Sequence, residues 1–308
     1  HKHIPHLLLI TMLCVSISLT SCGKKQSQVY EHTNKAPFVE TVDQKTQSYR
    51  DIYKKARFLQ TQKKYDEAYQ AFKSIDNKYL LLGDFILYHK AEIAKEMPNE
   101  QAVLDNLRLL LKKYPKSDLI DDALYAIGQS FVRLRDSESA ETYFTQLLDQ
   151  YPHSMYATGA CYYLGEIYAS HKKTQKKAID LYKRYIKKAP DGKFASYSAD
   201  GILNLTKDND LSSEDFQYIA MAYYHSGQHK KALDNFGTKL NQENWYAIGK
   251  SQHLVNGFEK ALGVYTIALN TLENLDKNQV DEVVKSVARA KGNNYQAWKQ
   301  CEALFPKY

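Results

Sequence analysis

Eight cations, Lys172, Lys173, Lys176, Lys177, Lys183, Arg184, Lys187 and Lys188, crowd one stretch of the chain with Asp180 as their only nearby opposite. A surface of this kind docks anions: lipid headgroups, a teichoic-like polymer or the acidic face of a protein. Neutralising Lys172, Lys173, Lys176 and Lys177 is then expected to weaken partner binding and its salt dependence. The same run also reads as an ordinary solvated helix face that needs no partner. Covalent chemistry finds less to work with. The chain has no Gly-rich phosphate loop, no Gly-x-Ser-x-Gly and no His-Glu-x-x-His, and its histidines, such as His89, His225 and His253, stand singly. Cys161 and Cys301 fall at apolar helix positions far apart in the chain, where a free cysteine behaves as a small apolar residue, so no disulfide between them is expected. With no Cys or His pair at ligand spacing on one helix face, neither a metal site nor a cofactor is expected. A net charge of +7 permits acidic partners without requiring them, and no nucleic-acid partner is expected.

The elements that would carry any surface are written as a repeat. Tyr114-Pro115-Lys116-Ser117 is followed by the run Ala123 to Phe131, by Ala140-Glu141-Thr142-Tyr143-Phe144, and by Tyr151-Pro152. Tyr151-Pro152-His153-Ser154 opens a second copy, which continues through Cys161 to Tyr168 and Ala178 to Tyr182 and closes on Ala189-Pro190. The paired glycines lie 37 residues apart (128 and 165), as do the prolines (115 and 152). A fixed period in this range marks a solenoid of helix pairs. Leu124, Ile127 and Phe131 share one face of a first helix, and Gly128 lets the partner helix approach. Ala140, Phe144 and Leu147 repeat that spacing on a second helix, which Pro152 stops. With 13 glycines, 7 prolines and no alternating Val, Ile and Thr segment, the chain reads as almost wholly helical. Its 25 tyrosines read as packing residues.

This pattern resembles the tetratricopeptide repeat, and the resemblance implies an all-α solenoid, a right-handed superhelix of helix hairpins over residues 47–308. The positions expected to pack the hairpins are Ala68, Phe72, Leu124, Gly128, Ala140, Phe144, Leu164, Gly165, Ala178, Tyr182, Ala220, Ala232, Trp245, Gly249 and Ala261. Ser212 or Ser213 reads as a helix N-cap, with Glu214 and Asp215 in the first turn. A partner is expected on the concave face, through first-helix residues between the packing positions. Phe305-Pro306 occupies a place that leads into another hairpin in earlier copies, so the reading frame is expected to continue past Tyr308.

At the other end, a cationic start and an apolar run from Leu7 to Leu19 precede Leu19-Thr20-Ser21-Cys22-Gly23. The run is too short and too interrupted for a comfortable membrane span. The motif resembles the bacterial lipobox. That implies a signal peptide over 1–22, lipid on Cys22, a flexible tether over 23–46 and a place on the periplasmic side of the outer membrane; Gly23 is compatible with that destination.

Two families resemble more of the arrangement. The run Gly83 to Ala91, the turns at Tyr114-Pro115, Tyr151-Pro152 and Ala189-Pro190, and Trp245-Tyr246-Ala247-Ile248-Gly249 look in order and spacing like the superhelical region of soluble lytic transglycosylases. Glu138-Ser139 resembles that family's catalytic pair, but it reads as part of a polar inter-helix turn without the family's downstream run, so no catalytic residue is assigned. The lipobox, tether and Tyr-Pro-x-Ser openings are also similar to the outer-membrane lipoprotein of the β-barrel assembly machinery. The expectation is a lipid-anchored envelope scaffold that binds protein or peptidoglycan: the non-catalytic arm of a lytic transglycosylase, or an assembly or wall-coordinating lipoprotein with no enzymatic domain.

Overall fold

The computed structural model describes residues 44–206, 210–292 and 295–306, and the readings at Cys22 and over 1–43 lie outside them. Among the described residues there are α-helices, two 3₁₀ turns and no strand. Four hairpins follow in order: α1 (Gln44–Thr61) with α2 (Tyr65–Ile75), α3 (Gly83–Glu96) with α4 (Glu100–Lys113), α5 (Ile120–Arg133) with α6 (Ser137–Gln150), and α7 (Ala157–Ala169) with α8 (Gln175–Lys188). A single helix, α9 (Ala195–Leu205), comes next. Three pairs complete the order: α10 (Ser213–His225) with α11 (His229–Asn235), α12 (Trp245–Asn256) with α13 (Phe258–Thr271), and α14 (Lys277–Ala290) with α15 (Tyr295–Leu304). Helix α1 starts at Gln44, three residues inside the expected tether, because Ile52, Ala56 and Leu59 already form one face and the helix extends ahead of them.

Local chemistry explains four of the helix starts. Asn99, Asp136 and Asp276 each accept a hydrogen bond from the backbone N–H three residues on, at 3.0, 3.0 and 2.9 Å. Ser212 is the cap of α10 and forms a reciprocal box with Asp215. Glu138 and Ser139 stand in the first turn of α6, not in an inter-helix turn, because Asp136 begins the helix there and holds the Ser139 N–H and hydroxyl. Between α12 and α13 only Gly257 intervenes, at φ +91°, a conformation that L side chains rarely adopt.

The core runs from pair to pair. All fifteen expected packing positions are buried. Small residues of the first helices receive aromatic rings of the second: a Cβ on Gly128 would stand 2.6 Å from the Phe144 ring, and one on Gly165 2.6 Å from the Tyr182 ring. The tyrosines then bind one hairpin to the next. Phe144 stacks on Tyr163 at 5.2 Å, and Tyr162 stacks on Phe194 at 4.1 Å, which docks α9 against the fourth hairpin.

Candidate functional site

The first helices of three successive pairs define the site. On α3 the packing face takes Leu87, Ala91 and Ala94, and on α5 it takes Leu124, Ile127 and Phe131. The 3.6-residue period therefore turns Tyr88, Glu92 and Lys95, and likewise Gln129 and Arg133, away from those faces. They meet the end of α1 and Tyr65 of α2 around an open cleft of about 380 Å³. Ala91, Val103, Leu107 and Ala126 give it an apolar floor, and Gln60, Lys63, Glu92, Lys95, Glu96 and Arg133 its polar rim.

Hydrogen bonds fix several of these groups. Tyr88 Oη donates to Asp122 Oδ1 at 3.1 Å, and Tyr156 Oη donates to the same oxygen, so one carboxylate ties α3, α5 and α7 together. Burial first and the Asp122 charge second push the Tyr88 phenol far above its usual range, which keeps it a neutral donor. Arg133 grips Glu100 with two N–H groups, one of them at 3.0 Å, and donates to Ser130 Oγ at 3.0 Å. Burial raises the Glu100 pKa, but the donors from Arg133 and Ser130 outweigh it and hold the carboxyl below its usual value. Gln129 Nε2 donates to Tyr163 Oη at 3.2 Å. His89 is a buried packing residue, stacked on Phe72, with Nδ1 3.0 Å from Arg57 and 3.1 Å from Glu92. The His89 hydrogen bond is the main reason that the Glu92 pKa is lowered, so the rim keeps an anion there at neutral pH.

The cleft is equipped for recognition. It offers an apolar floor, a neutral phenol, an amide and fixed charges of both signs, which suits a peptide segment with alternating apolar and polar side chains. Among the described residues no group of three or more His, Cys, Asp or Glu could hold a metal ion. None of the cleft residues was singled out as a binding residue from the sequence alone, although Tyr88, Ala91, Ala126 and Gln129 stand in the repeat runs read there. For those on α3 and α5 the only signal is being positions of first helices between packing letters, and which of them converge with Tyr65 of α2 and Val103 and Leu107 of α4 depends on how the hairpins stack.

The cation cluster is divided by the structure. Lys183 bonds Asp215 at 2.8 Å and Lys187 bonds Glu214 at 3.3 Å, both on α10, so Asp180 is not the only opposing charge. The sequence reading missed these partners because they lie 32 and 27 residues away and reach α8 only through the stacking of α10 upon it. Lys172 and Lys173 lie in a 3₁₀ turn, and together with Lys176, Lys177, Arg184 and Lys188 they are exposed. Cys161 on α7 and Cys301 on α15 are buried free thiols on helices far apart in the chain. Burial pushes both of their pKa values up.

Residues 125–193, from α5 to the turn before α9, match a family model described as tetratricopeptide repeat. No curated protein matches the chain. Among solved structures, a tetratricopeptide repeat protein from Parabacteroides merdae ATCC 43184 gives a TM-score of 0.44 at 16% identity, over 78% of this chain and 98% of that one. The MamA protein gives 0.41 at 18% identity, over 74% and 96%. PilW, a type IV pilus biogenesis factor, gives 0.38 at 14% identity, over 77% and 99%. With its run of helix pairs and the matched repeat segment, this chain is an all-α solenoid of tetratricopeptide type. Such solenoids present extended surfaces for binding other proteins.

Proposed function

We propose that this chain is a scaffold of the bacterial cell envelope that holds a segment of a protein partner in the cleft between α1, α3 and α5. The cleft carries the reading: α1, α3 and α5 surround one apolar floor, to which α4 adds Val103 and Leu107, and Asp122 and Glu100 already orient Tyr88 and Arg133 beside it. Groups fixed in advance lose little freedom when a partner binds. The motif Leu19-Thr20-Ser21-Cys22-Gly23 supports lipid on Cys22, with the chain on the periplasmic side of the outer membrane. Site-specific photo-crosslinking in the native host tests the cleft. A crosslinker at Gln129 should capture one defined envelope protein, and Tyr88→Ala should abolish the capture. Equal capture of that protein from Glu138, exposed on α6, would sink the reading. Cys22→Ser should release the chain from the membrane fraction, and retention there would remove the lipid tether.

The order of segments that resembles the transglycosylase superhelix supports a second reading. In it the chain is the non-catalytic arm of an enzyme that cleaves peptidoglycan glycan strands, and the cleft takes cell-wall peptides. Purified sacculi should then retain residues 1–308 without being cut. Failure to bind sacculi, alongside capture of a protein from Gln129, would leave the assembly or wall-coordinating scaffold.

A further inference from the structure

The cation cluster holds more charge than the fold uses. Lys183 and Lys187 join α8 to α10 through Asp215 and Glu214. Lys172, Lys173, Lys176, Lys177, Arg184 and Lys188 are exposed and have no carboxylate partner among the described residues. At 100° per residue, Lys176, Lys177, Arg184 and Lys188 occupy an arc of about 120° on α8. The arc lies opposite Ala178, Tyr182, Tyr185 and Ile186, which fill the core. Lys177 also leans over the Tyr168 ring at 5.5 Å, and Asp180 is the one anion within the arc. Arg184 and Lys188, four apart on the helix, repel each other, and Asp180, four from both Lys176 and Arg184, offsets only one charge of the cluster.

We propose that this outward face of α8, with the turn before it, lies against an anionic lipid bilayer. The cations are spread along a helix about 21 Å long, with no concavity to enclose a discrete anion, and a plane of headgroups matches that distribution. Basic residues on a helix face within a Debye length of anionic lipid are drawn to it. The choice of a bilayer over a soluble polyanion rests on the Cys22 tether proposed above, which would keep this chain near a membrane. The cleft of α1, α3 and α5 uses none of these residues, so one molecule can hold a membrane and a partner at once.

The test uses the full chain with Cys22→Ser, so that no attached lipid contributes. Its co-sedimentation with phosphatidylglycerol/phosphatidylcholine vesicles is compared with pure phosphatidylcholine vesicles, at low and high salt. Binding should require the anionic lipid, which separates it from insertion of the apolar N-terminal run, and should fall steeply with salt. Replacing Lys172, Lys173, Lys176, Arg184 and Lys188 by Gln should weaken it at least tenfold. Replacing exposed Lys54, Lys55, Lys73, Lys112 and Lys116 by Gln removes the same charge elsewhere and should change it less than about twofold. Equal loss in both variants would reduce the effect to net charge and overturn the proposal. So would an absence of anionic-vesicle binding in the parent, or a patch variant that loses binding to polyphosphate while keeping vesicles. If the fivefold variant does not fold by circular dichroism, K172Q/K173Q, outside the helix, gives the same comparison with an expected loss of about threefold. Acylation is read separately from the mass of the wild-type N-terminal peptide. Bare Cys22 with vesicle binding intact removes the tether and leaves the patch standing.

Discussion

Gly249 and Gly263 lie in one helical pair and should respond oppositely to the same substitution. A Cβ on Gly249 would stand 2.0, 2.6 and 2.7 Å from three atoms of the Tyr265 ring, whereas one on Gly263 meets nothing within 4 Å. Carbon atoms in contact settle at about 3.5–4.0 Å, so Gly249→Ala must drive the ring back by about 1.5 Å. That ring is buried against Trp245, centroids 6.2 Å apart, so the shift disturbs the packing between α12 and α13. Overpacking of this kind costs about 1–3 kcal/mol. Replacing a mid-helix glycine by alanine separately gains about 1 kcal/mol of helix propensity at both sites. Gly263→Ala should therefore stabilise by about 1 kcal/mol, and Gly249→Ala should fall below it by about 1–3 kcal/mol, with the propensity cancelling in the difference. Urea titration followed by the emission of buried Trp245, with Trp298 replaced by Phe in every variant, reads this pair of helices directly, which matters because repeat arrays need not unfold as one unit. Combining Gly249→Ala with Tyr265→Leu should cost less than the two changes added together. A Gly249→Ala midpoint equal to or above that of Gly263→Ala would refute the close approach of α12 and α13 as the reason for glycine there.

Asp215 gives a pH dependence with a definite sign. Burial raises its pKa, but the donors from Lys183 and from the Ser212 N–H and hydroxyl dominate and leave it lowered. Its stabilisation is thus fully present above the unfolded value of about 3.9 and is lost as the pH falls through the folded one. Asp215→Asn should cost about 1–2 kcal/mol at pH 7 by weakening the cap, and should flatten the wild-type loss of stability between pH 5 and 2; an unchanged slope in urea titrations would contradict this. Phe194→Ala should cost about 2–3 kcal/mol, because the ring stacked on Tyr162 joins α9 to the fourth hairpin, and hydrogen exchange should quicken in α9 before it does in α5. Cys161 and Cys301 should resist iodoacetamide in the native chain and react fully in denaturant, read by peptide mass; rapid native labelling of either would show that the packing over it opens.

Much of the architecture was legible as letters because hairpin packing is local. Leu124, Gly128 and Phe131 on one helix and Ala140, Phe144 and Leu147 on the next encode a buried face at the 3.6-residue period, and the chain needs only a short turn to bring the faces together. Caps act within three residues: the sequence reading finds Ser212 but not Asp136, and for that reason it places Glu138 and Ser139 in a turn. What the periodicity leaves open is everything between hairpins. Asp122 receives both Tyr88 and Tyr156, each 34 residues away, and Lys183 finds Asp215 across 32 residues. Such partners are polar residues on exposed helix faces, interchangeable in sequence with any solvated position. Only the angle and offset at which one hairpin stacks on the next decides which of them meet. The same stacking decides that Gln129 and Glu92 share a cleft and that six cations of the Lys172 to Lys188 stretch face outward while two hold α10. The sequence by itself thus determined the helices, their order and their buried faces, since these depend on neighbours within a turn or a hairpin. The tertiary structure alone decided the surface, since surface geometry is set by contacts a full repeat apart.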